Sequence, residues 1–185
     1  MALDWLCPAP ALPAWCRDGL SLREAAAAEM DAVYLMGRDA WGDGCGVAEY
    51  LRLCRDSRKY RRGRWHVLTA ADGGLLCAAI AYRLPSLAGR LTLGLGSLAT
   101  APEARGRGHA SLVLNGLLQA YRRHCRAEVF LLFADIDLRF YQRLGFLPLP
   151  AALQPRADAV GMALCAPELW EPSMRALAER PLGYF

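Results

Sequence analysis

Two short runs carry the residue types from which chemistry could be built. In the first, Arg105-Gly106-Arg107-Gly108-His109-Ala110, two glycines fall where an apolar run gives way to an amphipathic helix. A helix start presents unpaired N–H groups and partial positive charge, which suits a pyrophosphate. Glycine lets the backbone approach such a ligand closely, and Arg105 and Arg107 can add charge-assisted bonds. An ordinary Gly-rich turn would look the same. In the second run, Phe140-Tyr141-Gln142-Arg143-Leu144-Gly145-Phe146, a tyrosine stands on a short helix that a glycine ends. A phenol there could donate a proton.

Hydrophobic periodicity supplies the elements that must hold these runs. Ala110, Val113, Leu114, Leu117, Leu118 and Tyr121 recur at helical spacing and predict a helix over 106–123. Upstream, alternation predicts strands at 65–70 and 75–84, joined by the turn Asp72-Gly73-Gly74, and a strand at 91–100 after a turn at 85–90. Gly94 and Gly96 inside that last strand mark a bulge or the close approach of another group. The apolar run 129–133 predicts a strand buried on both faces. A helix joining two strands in this way fits a crossover between parallel neighbours. Asp137 reads as the N-cap of a helix over 138–144.

The flanks are less regular. Residues 1–18, rich in Pro, Ala and Trp, have no period and read as an extension pinned by Trp5 and Trp15. A short strand at 20–23, a helix over 24–36, a loop at 39–46 and a second helix over 47–57 follow. Beyond the crossover come short strands at 146–149 and 159–164, then a helix over 172–179. Domain organisation is thus an extension, 1–18, and one domain, 19–185.

Composition narrows the class. The chain has 185 residues, 55% hydrophobic and 22% charged, which is globular rather than disordered. Runs of about 18 apolar residues are absent, and the first residues carry no basic region, so neither a membrane span nor a secretory leader is expected and a cytoplasmic location is. Seven scattered cysteines without a Cys-x-x-Cys pair argue against a zinc site or a disulfide framework, and Cys77 and Cys165 read as buried small hydrophobes. His124-Cys125 is an adjacency, not a catalytic geometry. His66 reads as a half-buried strand histidine. Residues 52–64 hold seven basic side chains and one acid, without the aromatic platform or motif of a nucleic-acid binder. Gly94-x-Gly96-x-x-Ala99 imitates a dinucleotide fingerprint, but Pro102 follows where a helix should already be running.

Residues 98–110 resemble the strand-to-helix segment of the Gcn5-related N-acetyltransferases (GNAT family), whose Arg/Gln-x-x-Gly-x-Gly/Ala motif is matched by Arg105, Gly108 and Ala110. Residues 135–146 resemble the same family's downstream helix, with its tyrosine ahead of Gly-Phe, and residues 22–33 its first strand and helix. The resemblance implies an α/β fold: a mixed central sheet of about six or seven strands flanked by helices, its fourth and fifth strands (91–100 and 129–133) splayed at a bulge near Gly96. Acetyl-CoA would lie in the gap as acyl donor, without a metal. Backbone groups of Leu98 and Thr100 would orient the thioester, and N–H groups from Gly106 to Ala110, including Arg107 and His109, would hold the pyrophosphate. Ala99, Arg105, Asp135 and Arg143 are further implied cofactor contacts. A primary amine on a small molecule or peptide would attack the thioester, and Tyr141 would protonate the leaving thiolate.

One departure stands out. Many members carry a glutamate on the fourth strand as base, whereas this strand reads Leu91-Thr92-Leu93-Gly94-Leu95-Gly96-Ser97. A water chain, a carboxylate from elsewhere or an amine that arrives neutral would replace it. Asp39, Asp43 and Glu49 fall in the region that would roof the acceptor site, where the plain reading is solvated loop charge. The rival from another class is a non-catalytic acyl-CoA-binding domain that kept the pyrophosphate loop. Homodimers are common in the family but leave no readable mark here.

Overall fold

The computed structural model describes residues 7–135, 137–154 and 158–185. Its frame is one open, mostly antiparallel sheet. In chain order its strands are β1 (Cys7–Pro8), β2 (Trp15–Arg17), β3 (Leu20–Glu24), β4 (Arg64–Thr69), β5 (Leu75–Leu87), β6 (Arg90–Thr100), β7 (Val129–Ala134), β8 (Leu147–Pro148) and β9 (Val160–Leu164). They pair in the order β2-β3-β4-β5-β6-β7-β9-β8, with β1 added to β5. The helices are α1 (Met30–Leu35), α2 (Arg38–Trp41), α3 (Val47–Asp56), α4 (Arg58–Arg62), α5 (His109–Cys125), α6 (Leu138–Gln142) and α7 (Pro167–Glu179).

Helices cover both faces, so the sheet has two cores. On one face Val33, Tyr34, Tyr50, Cys54, Met174 and Leu177 from α1, α3 and α7 pack on Val67, Ala78, Ile80 and Tyr82. On the other, Val113, Leu114, Leu117, Leu118 and Tyr121 of α5 pack on Leu68, Cys77, Ala79, Leu93 and Phe130. The period read along 110–121 is therefore the buried stripe of α5. β4, β5 and β7 are apolar at successive positions because both of their faces are covered.

Several boundaries differ from expectation, each for a local reason. The N-terminal stretch, aperiodic in sequence, contributes β1 and β2, because edge pairing needs only backbone groups. Trp15 packs against the α5 side of the sheet, while Trp5 lies outside the described residues. The expected helix at 24–36 begins only at Met30. Glu29 reaches back to the Ala26 N–H at 2.7 Å and to both terminal guanidinium nitrogens of Arg23, at 2.6 and 2.7 Å, which holds 27–29 in a 3-10 turn. The loop at 39–46 contains a helical turn, α2. The strand expected to stop at Leu84 runs on to Leu87, with Pro85 in an irregular step of the ladder. The turn itself is Ala88-Gly89, both residues at positive φ (49° and 71°). The last helix starts at Pro167, not Pro172; a proline in the first turn forfeits no bond.

The basic run 52–64 is largely consumed within the fold. Ser57 ends α3 and caps α4 by accepting from the Tyr60 N–H. Arg55 pairs with Asp31, Arg64 with Glu24 and Arg52 with Asp56. Cys77 is fully buried, as expected, whereas Cys165 is only half-buried. No helix among the described residues is long and apolar enough to cross a membrane.

His66 is more buried than its strand position suggested, 1% exposed. Its Nε2 lies 2.8 Å from the Tyr121 hydroxyl. Burial, assisted by the Arg64 charge, pushes its pKa down to about 4. The unfolded chain then takes up the proton first as pH falls, so stability present above the ordinary value of 6.5 drains away toward 4. We expect a loss of about 2 kcal/mol between pH 7 and pH 5 in denaturant midpoints. Glu29, held down to about 2 chiefly by Arg23, adds its own loss only below about pH 4.5. A flat profile between pH 7 and pH 5 would count against a buried neutral imidazole.

Candidate active site

Among the described residues β6 and β7 are the one parallel pair in the sheet order, and they touch only at their start. Thr92, Leu93 and Gly94 pair with Val129, Phe130 and Leu131. Beyond these steps each strand keeps its outer neighbour, β6 against β5 and β7 against β9, but not the other. The cause lies in the β5–β6 ladder. Between the pairs Ile80–Gly96 and Ala78–Ala99, two steps on β5 face three on β6. The extra residue is a bulge, with Ser97 at φ 44°, and a bulge bends its strand away from a neighbour. The expected bulge thus centres on Ser97, next to Gly96. The parting strands leave a cleft of ≈ 880 Å³.

Gly94 answers to the second sequence expectation, close approach. A Cβ there would stand 2.3 Å from the Phe185 ring, which the chain brings back from beyond α7. Phe185 is 3% exposed and packs edge-on against Tyr82 and Phe133. It closes the inner end of the cleft.

At the outer end the chain leaves β6, makes a 3-10 turn at Pro102–Ala104 and enters α5. Gly106 and Gly108 both lie in the left-handed region, φ 75° and 79°, and a Cβ on either would meet no atom within 4 Å. The loop is therefore an open stretch of backbone at the N-terminus of a 17-residue helix. Such alternation of backbone conformation turns successive N–H groups toward one anion. Arg107, between the two glycines, is exposed.

Arg105 does something else with its side chain. Its guanidinium grips both Asp39 oxygens, at 2.5 and 2.9 Å, and donates through Nε to the Thr100 carbonyl at 3.0 Å. The contact holds the Asp39 carboxyl below its ordinary range. From the same short helix, the Trp41 indole donates to Asp135 at 3.1 Å. Since Arg105 follows β6 and Asp135 follows β7, α2 bridges the two strands across the mouth of the cleft.

Tyr141 stands on the wall of that cleft, 6% exposed, its ring against Phe140 and Phe146. Asp137 caps α6 by accepting from the Arg139 N–H at 3.0 Å, and Gly145 at φ 92° turns the chain into β8, so the helix that carries Tyr141 is fixed at both ends. Burial, and after it the nearby Asp135 and Tyr184, push the phenol up. It keeps its proton through the neutral range.

Of the residues singled out from sequence, Leu98, Ala99, Thr100, Arg105, Ala110, Asp135 and Tyr141 line the cleft together. Gly106, Arg107 and Gly108 form the exposed loop at its end, His109 opens α5, and Arg143 is exposed on the turn after α6. Asp39 borders the cleft, whereas Asp43 and Glu49 are exposed and outside its lining. Sequence reading missed Trp41, Lys59, Tyr60, Tyr184 and Phe185, which also line it. The glycine at 94 was the one local signal of Phe185's approach. Among the described residues no group of three His, Cys, Asp or Glu is gathered as a metal would require.

Comparisons with known proteins bear on the fold that holds this cleft. A family model described as acetyltransferase (GNAT) domain matches residues 63–148. No curated protein matches the sequence significantly. Among solved structures, a spermidine N-acetyltransferase from Vibrio cholerae superposes with a TM-score of 0.57 at 14% identity, over 80% of this chain and 95% of that one. Ard1 from Thermoplasma volcanium gives 0.58 at 19% identity, over 80% and 98%. A GCN5-related N-acetyltransferase from Kribbella flavida gives 0.58 at 20% identity, over 80% and 99%.

Proposed function

We propose that the chain, which the acetyltransferase (GNAT) domain model matches over residues 63–148, is an acetyl-CoA-dependent N-acetyltransferase acting on a primary amine. The observation that carries this reading is the cleft between β6 and β7, with the glycine loop at one end and the buried phenol of Tyr141 on its wall. The N–H groups from Gly106 to Ala110 hold the pyrophosphate of the donor, and Arg107 adds a charge-assisted bond. Backbone groups of Leu98 and Thr100, on the unpaired edge of β6, orient the pantetheine arm. Arg105 serves the same site indirectly, by fastening α2 across the mouth. Donor binding supplies an activated acetyl group; the protein supplies alignment and a proton.

The amine attacks the thioester carbonyl, the C–S bond breaks, and Tyr141 gives its proton to the sulfur as charge develops there. A phenol near pKa 10 is a weaker acid than a thiol near 8.5, so it assists by a positioned hydrogen bond that strengthens in the transition state. The carboxylates bordering the cleft are already engaged, Asp39 by Arg105 and Asp135 by Trp41. The amine therefore gives up its proton to water. The structural likeness to spermidine acetyltransferases favours a small amine as acceptor.

Two measurements test the reading. Calorimetry should show acetyl-CoA binding in the micromolar range with CoA as competitor, and thiol release from acetyl-CoA should accelerate with a library of primary amines. Absence of binding would remove the proposal. Binding without thiol release for any amine would instead favour a non-catalytic acyl-CoA-binding domain.

A further inference from the structure

Lys59 is the only lysine among the 22 basic Lys and Arg side chains of the chain. The arginines cannot become nucleophiles, since a guanidinium keeps its proton in proteins; an ammonium can lose one. That single convertible cation lines the cleft that Tyr141 lines. α4 carries it there, capped by Ser57 and seated on the core through Tyr60, whose ring stacks on Tyr34 at 5.7 Å and meets Trp65 edge-on at 5.2 Å. The Lys59 Nζ stands 4.5 Å from the Tyr184 ring centroid and 5.5 Å from that of Tyr60. Two aromatic faces thus hold an ammonium inside the cleft, an environment known to attract cationic nitrogen.

Distances connect this nitrogen to the reacting end. Tyr184 lies 5.0 Å from Phe133, a residue of β7 on the cleft wall. After burial and Asp135, Tyr184 adds to the upward push on the Tyr141 phenol. Lys59, Tyr184 and Tyr141 all line the one cleft. The Tyr60 hydroxyl, for its part, lies 3.5 Å from Ser97 Oγ at the bulge where β6 turns away.

We infer that Lys59 is an internal acceptor: with acetyl-CoA in the cleft and no other amine present, the protein acetylates its own Lys59, and the Tyr60–Tyr184 pair is the subsite that an external acceptor's ammonium takes over. The inference rests on the proposed acetyl transfer. The ammonium releases a proton to water, the neutral Nζ attacks the thioester carbonyl, the C–N bond forms and the C–S bond breaks. The thiolate takes the Tyr141 proton, which solvent restores. The products are an acetylated Lys59, CoA and one proton. Acetylation removes the charge, so the contact with Tyr184 is lost and the modified side chain no longer competes for the subsite as a cation.

The test is to incubate the purified protein with acetyl-CoA alone, digest it and follow the residue-59 peptide by mass spectrometry. One acetyl group should appear on Lys59, at least about 10-fold faster than in Tyr141→Phe. An added primary amine should slow the modification by competition. Equal rates in the wild type, Tyr141→Phe and heat-unfolded protein would mean simple chemical acylation and overturn the inference. An unmodified Lys59 in protein that binds acetyl-CoA and acetylates an added amine would overturn it too, leaving the proposed function intact. Failure to bind acetyl-CoA would remove both.

Discussion

Tyr141→Phe is expected to lower turnover about 100-fold while leaving acetyl-CoA affinity within about a factor of two. The change removes one hydroxyl and keeps the ring, which is 6% exposed and packed against Phe140 and Phe146. The fold should therefore survive, and a thermal melt within a few degrees of the wild type would confirm it. The kinetic split is diagnostic, because a group that acts only on the developing thiolate affects the transition state and not donor binding. Burial holds the phenol above its ordinary value. The wild-type turnover should thus show no falling limb from this group below about pH 10. Unchanged turnover in Tyr141→Phe would move the acid role elsewhere and reduce Tyr141 to a packing residue.

Gly108→Val should weaken acetyl-CoA binding by more than about 10-fold, through the backbone rather than through a clash inside the protein. A Cβ at this position meets nothing within 4 Å, but φ is 79°. A β-branched residue there is strained by roughly 1–2 kcal/mol and prefers to relax toward negative φ. Relaxation would turn the loop N–H groups away from the pyrophosphate and fill the space the ligand needs. Calorimetry with acetyl-CoA and with CoA should show the same loss for both, since the proposed contact is to the nucleotide portion they share. Gly108→Ala should show a smaller loss in the same direction. Undiminished affinity in both variants would place the pyrophosphate elsewhere.

The two positions also show what kinds of feature local sequence exposes. Gly108 and Tyr141 were found because each sits at a helix boundary, where residue type and conformation are tightly linked: a glycine before an amphipathic run, a tyrosine on a turn ended by Gly145. Gly94 and Gly96 were legible for a similar reason, since glycine in a strand interior has a positional meaning. Arg105 was legible as a charge but not as a brace. Its partner Asp39 lies on α2, far away in sequence, and a four-residue helix has no period to announce it. Trp41, Lys59 and Tyr184 escaped altogether. Each enters the cleft from an element whose own pattern reports only helix, loop or tail.

By itself the sequence determined the layered α/β order, the two-sided burial of β7, the buried stripe of α5, the glycine loop that opens α5 and the short helix that carries Tyr141. Those features follow from rules that act over a few residues: alternation, helical spacing, capping and the conformational freedom of glycine. Only the tertiary structure decided how far β6 and β7 part, that α2 fastens the mouth through Asp39 and Trp41, and that Phe185 closes the inner end. It also decided that the chain's one lysine faces the same cleft as its buried phenol. Such facts depend on contacts between residues remote in the chain, and nothing in a local pattern encodes which distant side chain will arrive. The Gly106–Gly108 end of the cleft is written in short-range rules; the end lined by Lys59, Tyr184 and Phe185 is assembled by long-range packing.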